Sequence, residues 1–362
     1  MTPIDRLGPD SRYRRWKRGP AIAILLALAA ALVVACWPAT TTPQPKVRAS
    51  QAEQSDLDLY RDIIGRVRGG EAYYPVAAEE LRTGGYPLKP FITFRLPTQA
   101  YAYATLGEPV MIGLQLLLAL AVILVWYRRL GDQPLWLRAI ATFLLAAGLG
   151  GLVEPVTGLF HESWAALLLA LAVGLRRPGR AAWAIVAGAA ALMIRETALP
   201  MVLAMGALAL VERRWREAIG WASAVGVFAL YLAWHAGQVA SVIRPEDLAS
   251  PGWDGLLGFH FALKALGAVT AATVLPGALA SAALVLSLFG WASVRSGAAL
   301  RAAILILGYG AMLALFARRD TFYWALMAAP LSLVGLAFVP AALRDLAGAL
   351  DLPARRVAGA RS

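Results

Sequence analysis

Long apolar runs recur along this chain, separated by short turns dense in arginine. The runs are rich in Ala and Leu and show no alternation of apolar and polar residues, so they read as helices rather than strands. They hold more apolar surface than a water-soluble core can absorb. Of the 362 residues, 59% are hydrophobic and 15% charged, against about 45–50% and about 25% in soluble domains. The surplus belongs in lipid, where only helices and closed barrels satisfy every backbone polar group. The expected fold class is all-α, a polytopic transmembrane helical bundle.

The net charge of +12 would point to nucleic acid in a soluble domain. Here the Lys and Arg fall mainly in short turns between apolar runs, as the positive-inside rule requires, and there is no basic soluble domain. Nucleic acid is therefore not an expected partner. A single cysteine excludes an internal disulfide and a cysteine-based zinc site. His161, His235 and His260 lie far apart without metal-ligand spacing.

The basic segment 1–20 precedes a first span over 21–39. Its charge should hold it in the cytoplasm and place residue 40 outside. Val33-Val34-Ala35-Cys36 resembles a lipoprotein processing site, but the many later spans favour a plain first transmembrane helix. Residues 40–108 then form a long outer loop that opens with a flexible Pro/Thr/Gln stretch, Thr40 to Gln54. Tyr60, Ile63, Ile64 and Val67 recur at helical spacing opposite Arg61, Asp62, Arg66 and Arg68, which predicts a short amphipathic surface helix. Gly69-Gly70 ends it; a further turn or two is expected near Ala77–Leu81 and a third short helix over Pro97–Gly107.

The bundle occupies 109–343, with spans expected near 109–127, 136–153, 163–175, 181–194, 197–211, 217–236, 275–293, 302–317 and 322–339. With the first, these make about ten crossings, both termini inside, and a basic tail at 344–362. Residues 258–274, apolar but carrying His260 and Lys264, read as a re-entrant or surface helix.

Under this topology the inner turns are almost purely Arg. The outer ends mix acids with cations: Asp56, Asp58, Glu154, His161, Glu162, Arg195, Glu196, Arg318, Arg319 and Asp320. Orientation alone does not require acids and cations at the same ends, and ionisable groups at membrane depth are functional candidates. Acids with arginines point to a phosphate-bearing substrate, since Arg pairs with phosphate through two hydrogen bonds. A carboxylate beside a phosphate leaving group is the equipment of glycosyl transfer. The carboxylate takes the acceptor proton and the cations stabilise the departing phosphate. Tyr60, Tyr323 and Trp324 join the candidates as aromatic neighbours. Asp56 is also placed to cap the helix that follows it. Asp56 and Asp58 could together hold a divalent metal, although no cofactor is expected.

A basic N-terminus, one span, a long outer loop opening with Asp and many further spans resemble the GT-C class of integral membrane glycosyltransferases. The local likeness is to polyprenyl-phosphate-mannose-dependent bacterial α-mannosyltransferases, whose first loop opens with a D-x-x-V-Y pattern followed by a Gly and an aromatic. Here Asp56-Leu57-Asp58-Leu59-Tyr60 matches with Leu59 in place of Val, and Gly70 with Tyr73 or Tyr74 follows. Arg195-Glu196-Thr197 is similar to the basic-acidic-Thr turn of a middle helix in that family. The resemblance implies Asp56 as catalytic base, with Asp58 next in line. It also implies a polyprenyl-phosphate sugar donor, a lipid or glycan acceptor, and a site on the outer face of the bacterial cytoplasmic membrane. The competing expectations are a transporter or flippase of lipid-linked sugars and a non-catalytic scaffold in envelope assembly.

Overall fold

The computed structural model describes residues 11–37 and 46–358, and its named elements are all helical. After α1 (Arg18–Cys36) come three helices of the polar loop, α2 (Lys46–Arg68), α3 (Tyr73–Thr83) and α4 (Thr98–Leu106). The bundle follows with α5 (Glu108–Arg129), α6 (Leu135–Leu149), α7 (His161–Leu175), α8 (Ala182–Ile194) and α9 (Leu199–Val211). It continues with α10 (Trp215–Ala240), α11 (Gly258–Ala268), α12 (Gly277–Ser293) and α13 (Gly297–Leu315). A broken run closes the chain: a 3-10 segment (Arg319–Ala328), α14 (Ala329–Ser332), a second 3-10 segment (Val334–Phe338) and α15 (Val339–Ala358).

Local sequence accounts for these boundaries. In α5, Pro109 stands in the first turn, where its missing N–H leaves no bond unmade. Glu108 at the start and Arg128 and Arg129 at the end complement the helix dipole. Among the described residues six elements are long and apolar enough to cross a membrane: α1, α5, α6 extended to Leu152, α10, α13 and the run Arg319–Leu350. They make the chain compatible with a multi-pass membrane protein. Four shorter apolar helices lie at His161–Leu175, Ala182–Ile194, Glu196–Val211 and Gly277–Ser293, below the ~20 residues of a clean span. The helix within 258–274 has 11 residues, about 16 Å, which is short of a hydrocarbon core.

The helices meet through small residues and buried tryptophans. A Cβ on Gly290 of α12 would stand 1.9 Å from the carbonyl oxygen of Gly335, so the two backbones touch and only glycine fits. Trp126 Nε1 donates to the Ala170 carbonyl (3.0 Å) and Trp291 Nε1 to that of Leu331 (2.9 Å), tying α5 to α7 and α12 to α14. By contrast α1 buries only Ala21 and Ala35 and stands at the periphery.

Several expectations need correction. The helix carrying Asp56 begins at Lys46, so Asp56 lies well inside α2 and is not its N-cap. The stretch Thr40 to Gln54 is helical from residue 46 onward; the rest of it lies outside the described residues. The expected span 322–339 is not one regular helix. Pro330 and Pro340 lack the N–H an unbroken helix needs, and Thr321 leaves helical geometry. The basic ends are not plain tails. Ser11 donates from N and Oγ to Asp345 Oδ2 (3.0 and 2.8 Å), Tyr13 is buried against Phe289, and α15 runs through the 343/344 boundary.

Polar contacts gather at two ends of the bundle, set apart by the length of α7, about 22 Å. At one end Arg176 is bonded to Glu212 and Glu217, and Arg301 to Glu212 (2.8 Å). Two acids therefore sit among turns that read as almost purely Arg. Ser11, Val294 and Asp345 meet at this end also, where Arg12 Nη2 donates to the Val294 carbonyl (3.0 Å). At the other end α2, α3 and α4 build a small core of their own around Ile63, Val67, Tyr73, Val76 and Phe94, closed by Val239 of α10.

Candidate active site

Between that surface layer and the bundle lies a cavity of about 970 Å³. Stretches far apart in sequence border it: α2, α3, the 84–100 segment, the start of α7, the α8–α9 turn, the 250–253 loop and the start of the final run. Asp56 and Tyr60 face it from α2, and His161 from the first turn of α7. Arg195 and Glu196 border it from the α8–α9 turn, and Arg318, Arg319, Tyr323 and Trp324 from the final run. With Asp320, also on the final run, ten of the thirteen candidates read from the sequence thus share one space.

Asp56 is half-buried. Its Oδ1 accepts a 2.7 Å hydrogen bond from the Tyr86 hydroxyl, and no cation stands within ion-pair distance among the described residues. Burial pushes its carboxyl above the ordinary carboxylate range. The Tyr86 hydrogen bond and the charge of Arg95 pull the other way, and Asp320 and Glu162 add to the rise. Tyr86 reaches Asp56 because the chain folds back after α3. A Cβ on Gly84 would lie 2.7 Å from the Tyr86 ring, and Gly85 adopts φ +69°.

Arg95 was not a candidate from the sequence, yet it is central to the cavity. It donates from Nε to the Tyr60 hydroxyl (3.2 Å) and from Nη2 to that of Tyr323 (3.0 Å). Burial pushes the Tyr60 phenol up to about 12, with the Arg95 charge opposing. The His161 ring meets Tyr60 edge-on at 5.6 Å, and Tyr323 stacks on Phe160 at 6.0 Å. Its signal in the sequence was that Arg95 is the only charged residue between Phe91 and Gly107.

The other arginines are neutralised by carboxylates, with one exception. Arg195, buried, bonds Glu162 (2.6 Å) and Glu196, so Glu162 stands behind the cavity wall rather than on it. Arg318 is held by both oxygens of Asp320 (3.2 and 2.9 Å), and also reaches Ser250 Oγ and the Gly252 carbonyl. Arg319 is exposed at the rim without a carboxylate partner among the described residues. Four arginines and four carboxylates, Asp56, Glu162, Glu196 and Asp320, therefore balance around the cavity.

Two candidates stand elsewhere. Asp58 is exposed and paired with Arg61 (3.2 Å). Two residues from Asp56 on the same helix, it faces another side, so the two carboxylates do not form a metal pair. Glu154 is exposed and does not border the cavity. Among the described residues no three His, Cys, Asp or Glu gather as metal ligands.

In class this is an all-helical chain compatible with repeated membrane crossing, with a polar, arginine-bearing cavity at one end. Comparison with known proteins adds nothing to that: no protein-family model, curated protein or solved structure matches the chain.

Proposed function

We propose that the chain is a multi-pass membrane glycosyltransferase that moves a sugar from a polyprenyl-phosphate donor to a lipid or glycan acceptor, with Asp56 as general base. One observation carries the reading: a half-buried carboxylate with no cation bonded to it shares a cavity with arginines from three other segments. In the reaction Asp56 takes the proton from the acceptor hydroxyl. The hydroxyl oxygen bonds to the anomeric carbon as the carbon–oxygen bond to phosphate breaks, and the phosphate leaves with the electron pair. The cations offset the charge that develops on it.

The membrane arrangement belongs to the same reading. Ten crossings, from the six long elements and the four short ones, place both termini in the cytoplasm of a bacterium and the cavity at the outer face of the inner membrane. Supporting this, residues 11 and 345 meet at the same end as the arginine turns, as an even number of crossings requires.

The test is transfer of labelled hexose from a polyprenyl-phosphate donor, with membranes holding wild type, Asp56→Asn or neither. Wild type transfers, and Asp56→Asn loses about 10²–10⁴-fold. Transfer kept by Asp56→Asn moves the base elsewhere, and no transfer with any of several hexoses sinks the reading.

A transporter of lipid-linked sugars is the second reading, favoured by the breaks between Arg319 and Leu350. Against it, that run carries no acidic or basic side chain between Asp320 and Arg344, whereas transport sites place charge at mid-membrane. Transfer by purified protein in detergent, where no gradient exists, decides for the enzyme.

A further inference from the structure

We propose that Arg95, joined by Arg319 at the rim, is the anion-binding pair of this cavity and takes a phosphate oxyanion. The ligand class rests on the glycosyl-transfer reading above; the residue assignment rests on which cations are left without carboxylates.

The sequence offered Arg195, Arg318 and Arg319 for the phosphate. The contacts separate them. Arg195 is saturated by Glu162 and Glu196, and Arg318 by Asp320 and the 250–252 loop. A phosphate at either would have to displace a carboxylate. Among the described residues the Arg95 guanidinium hydrogen-bonds only neutral hydroxyls, and it also lies 6.0 Å from the centre of the Tyr323 ring. A guanidinium carries five N–H donors in a planar fork. Nε and Nη2 of Arg95 are held by Tyr60 and Tyr323, from two different walls of the cavity, which fixes the plane of the group. Nη1 has no partner among the described residues and is not sealed from the cavity. That leaves a rigid cation with open donors, the arrangement that grips an oxyanion through paired hydrogen bonds. Arg319 lines the same space, exposed and without a carboxylate. Asp56 borders it too, so an anion on Arg95 lies beside the carboxylate that would receive the acceptor proton.

The experiment measures binding rather than turnover. Purified full-length protein in detergent is titrated with a short polyprenyl phosphate carrying no sugar, with the matching polyprenol, and with inorganic phosphate as competitor. Wild type binds the lipid phosphate better than the alcohol. Arg95→Gln weakens the lipid phosphate by at least about tenfold, the loss of a charge-assisted bond, and leaves the alcohol unchanged. Arg95→Lys, which keeps the charge without the fork, loses less. Competition by inorganic phosphate assigns the site to the phosphate group itself; its absence makes the lipid chain a required part of the ligand, with Arg95 still its anion contact. Arg319→Gln, a surface change that leaves packing alone, weakens binding severalfold, and unchanged binding removes Arg319 from the pair. Equal binding by folded Arg95→Gln and wild type overturns the assignment and leaves the transfer reading standing on Asp56. A wild type that binds the phosphate no better than the alcohol overturns both.

Discussion

Asp56 and Tyr86 define the chemistry at the smallest scale. A general base works ionised, so transfer should fall as pH drops through the carboxyl's raised pKa. Replacing Tyr86 by Phe removes the hydrogen bond that favours the charged form, leaving burial less opposed. The acid limb of the pH–rate profile should therefore move to higher pH in Tyr86→Phe, with activity retained above it. A limb that stays in place, or moves down, would show that the phenol does not tune this carboxylate. Glu162 makes a different prediction. It is buried against Arg195 at 2.6 Å, so Glu162→Ala leaves the Arg195 Nε–H unpaired, with Glu196 as the remaining carboxylate, and should destabilise by about 1–3 kcal/mol in chemical denaturation. The sequence could suggest Asp56 and the Arg195-Glu196 turn because a carboxylate or a charge at a span end stands out in an apolar chain. It could not suggest which arginines are free. That depends on pairs closed across the fold, such as Arg195 with Glu162 and Arg95 with Tyr323, and of the three cations a linear reading offers for the phosphate, Arg195 and Arg318 turn out to be matched.

Among the elements, the later turns of α2 and the start of α4 were legible because Tyr60, Ile63, Ile64 and Val67 repeat at helical spacing and Gly69-Gly70 and Pro97 mark boundaries, whereas of α3 (Tyr73–Thr83) only a turn or two near Ala77–Leu81 was. The start of α2 was not. Its first turns are polar, so no apolar stripe announced them. The clasp on this layer is tertiary. Arg82 of α3 donates two hydrogen bonds to Asp247 (2.6 and 2.8 Å), and the Leu88 and Lys89 amides donate to the Leu248 carbonyl. The Arg82 contact lowers the Asp247 carboxyl from its ordinary 3.8 to about 2. A depressed carboxylate pKa contributes stability that is full above the ordinary value and is lost as pH falls towards the depressed one. The surface layer should hold unchanged from neutrality to mild acid and loosen only near pH 2 in wild type. Asp247→Asn should be loose already at pH 7, read as amide exchange in 82–90 and 241–250. Protection equal to wild type at pH 7 would sink the clasp.

At the scale of the molecule, the apolar runs announced an all-helical fold because surplus hydrophobicity leaves few alternatives. The final run, read as a span over 322–339, is apolar and long enough to cross, but Pro330, Gly335 and Pro340 break it into short helical pieces that composition alone does not announce. Sidedness is testable with single cysteines in a Cys36→Ser background. A cysteine at Asp254 should react with an impermeant maleimide on intact cells, and one at Arg180 only after permeabilisation. The reverse pattern would invert the topology.

The balance of four arginines against four carboxylates around the cavity has a kinetic side. A site without net charge does not draw ions from the water at long range, so it gains nothing from electrostatic steering. A carrier anchored in the bilayer would reach it instead by lateral diffusion, a two-dimensional search whose frequency follows carrier density in the leaflet. Turnover at limiting donor should then change by less than about twofold between low and high salt, because charges inside the cavity are weakly screened. It should rise in proportion to the mole fraction of carrier in the membrane, whatever the volume of water around it.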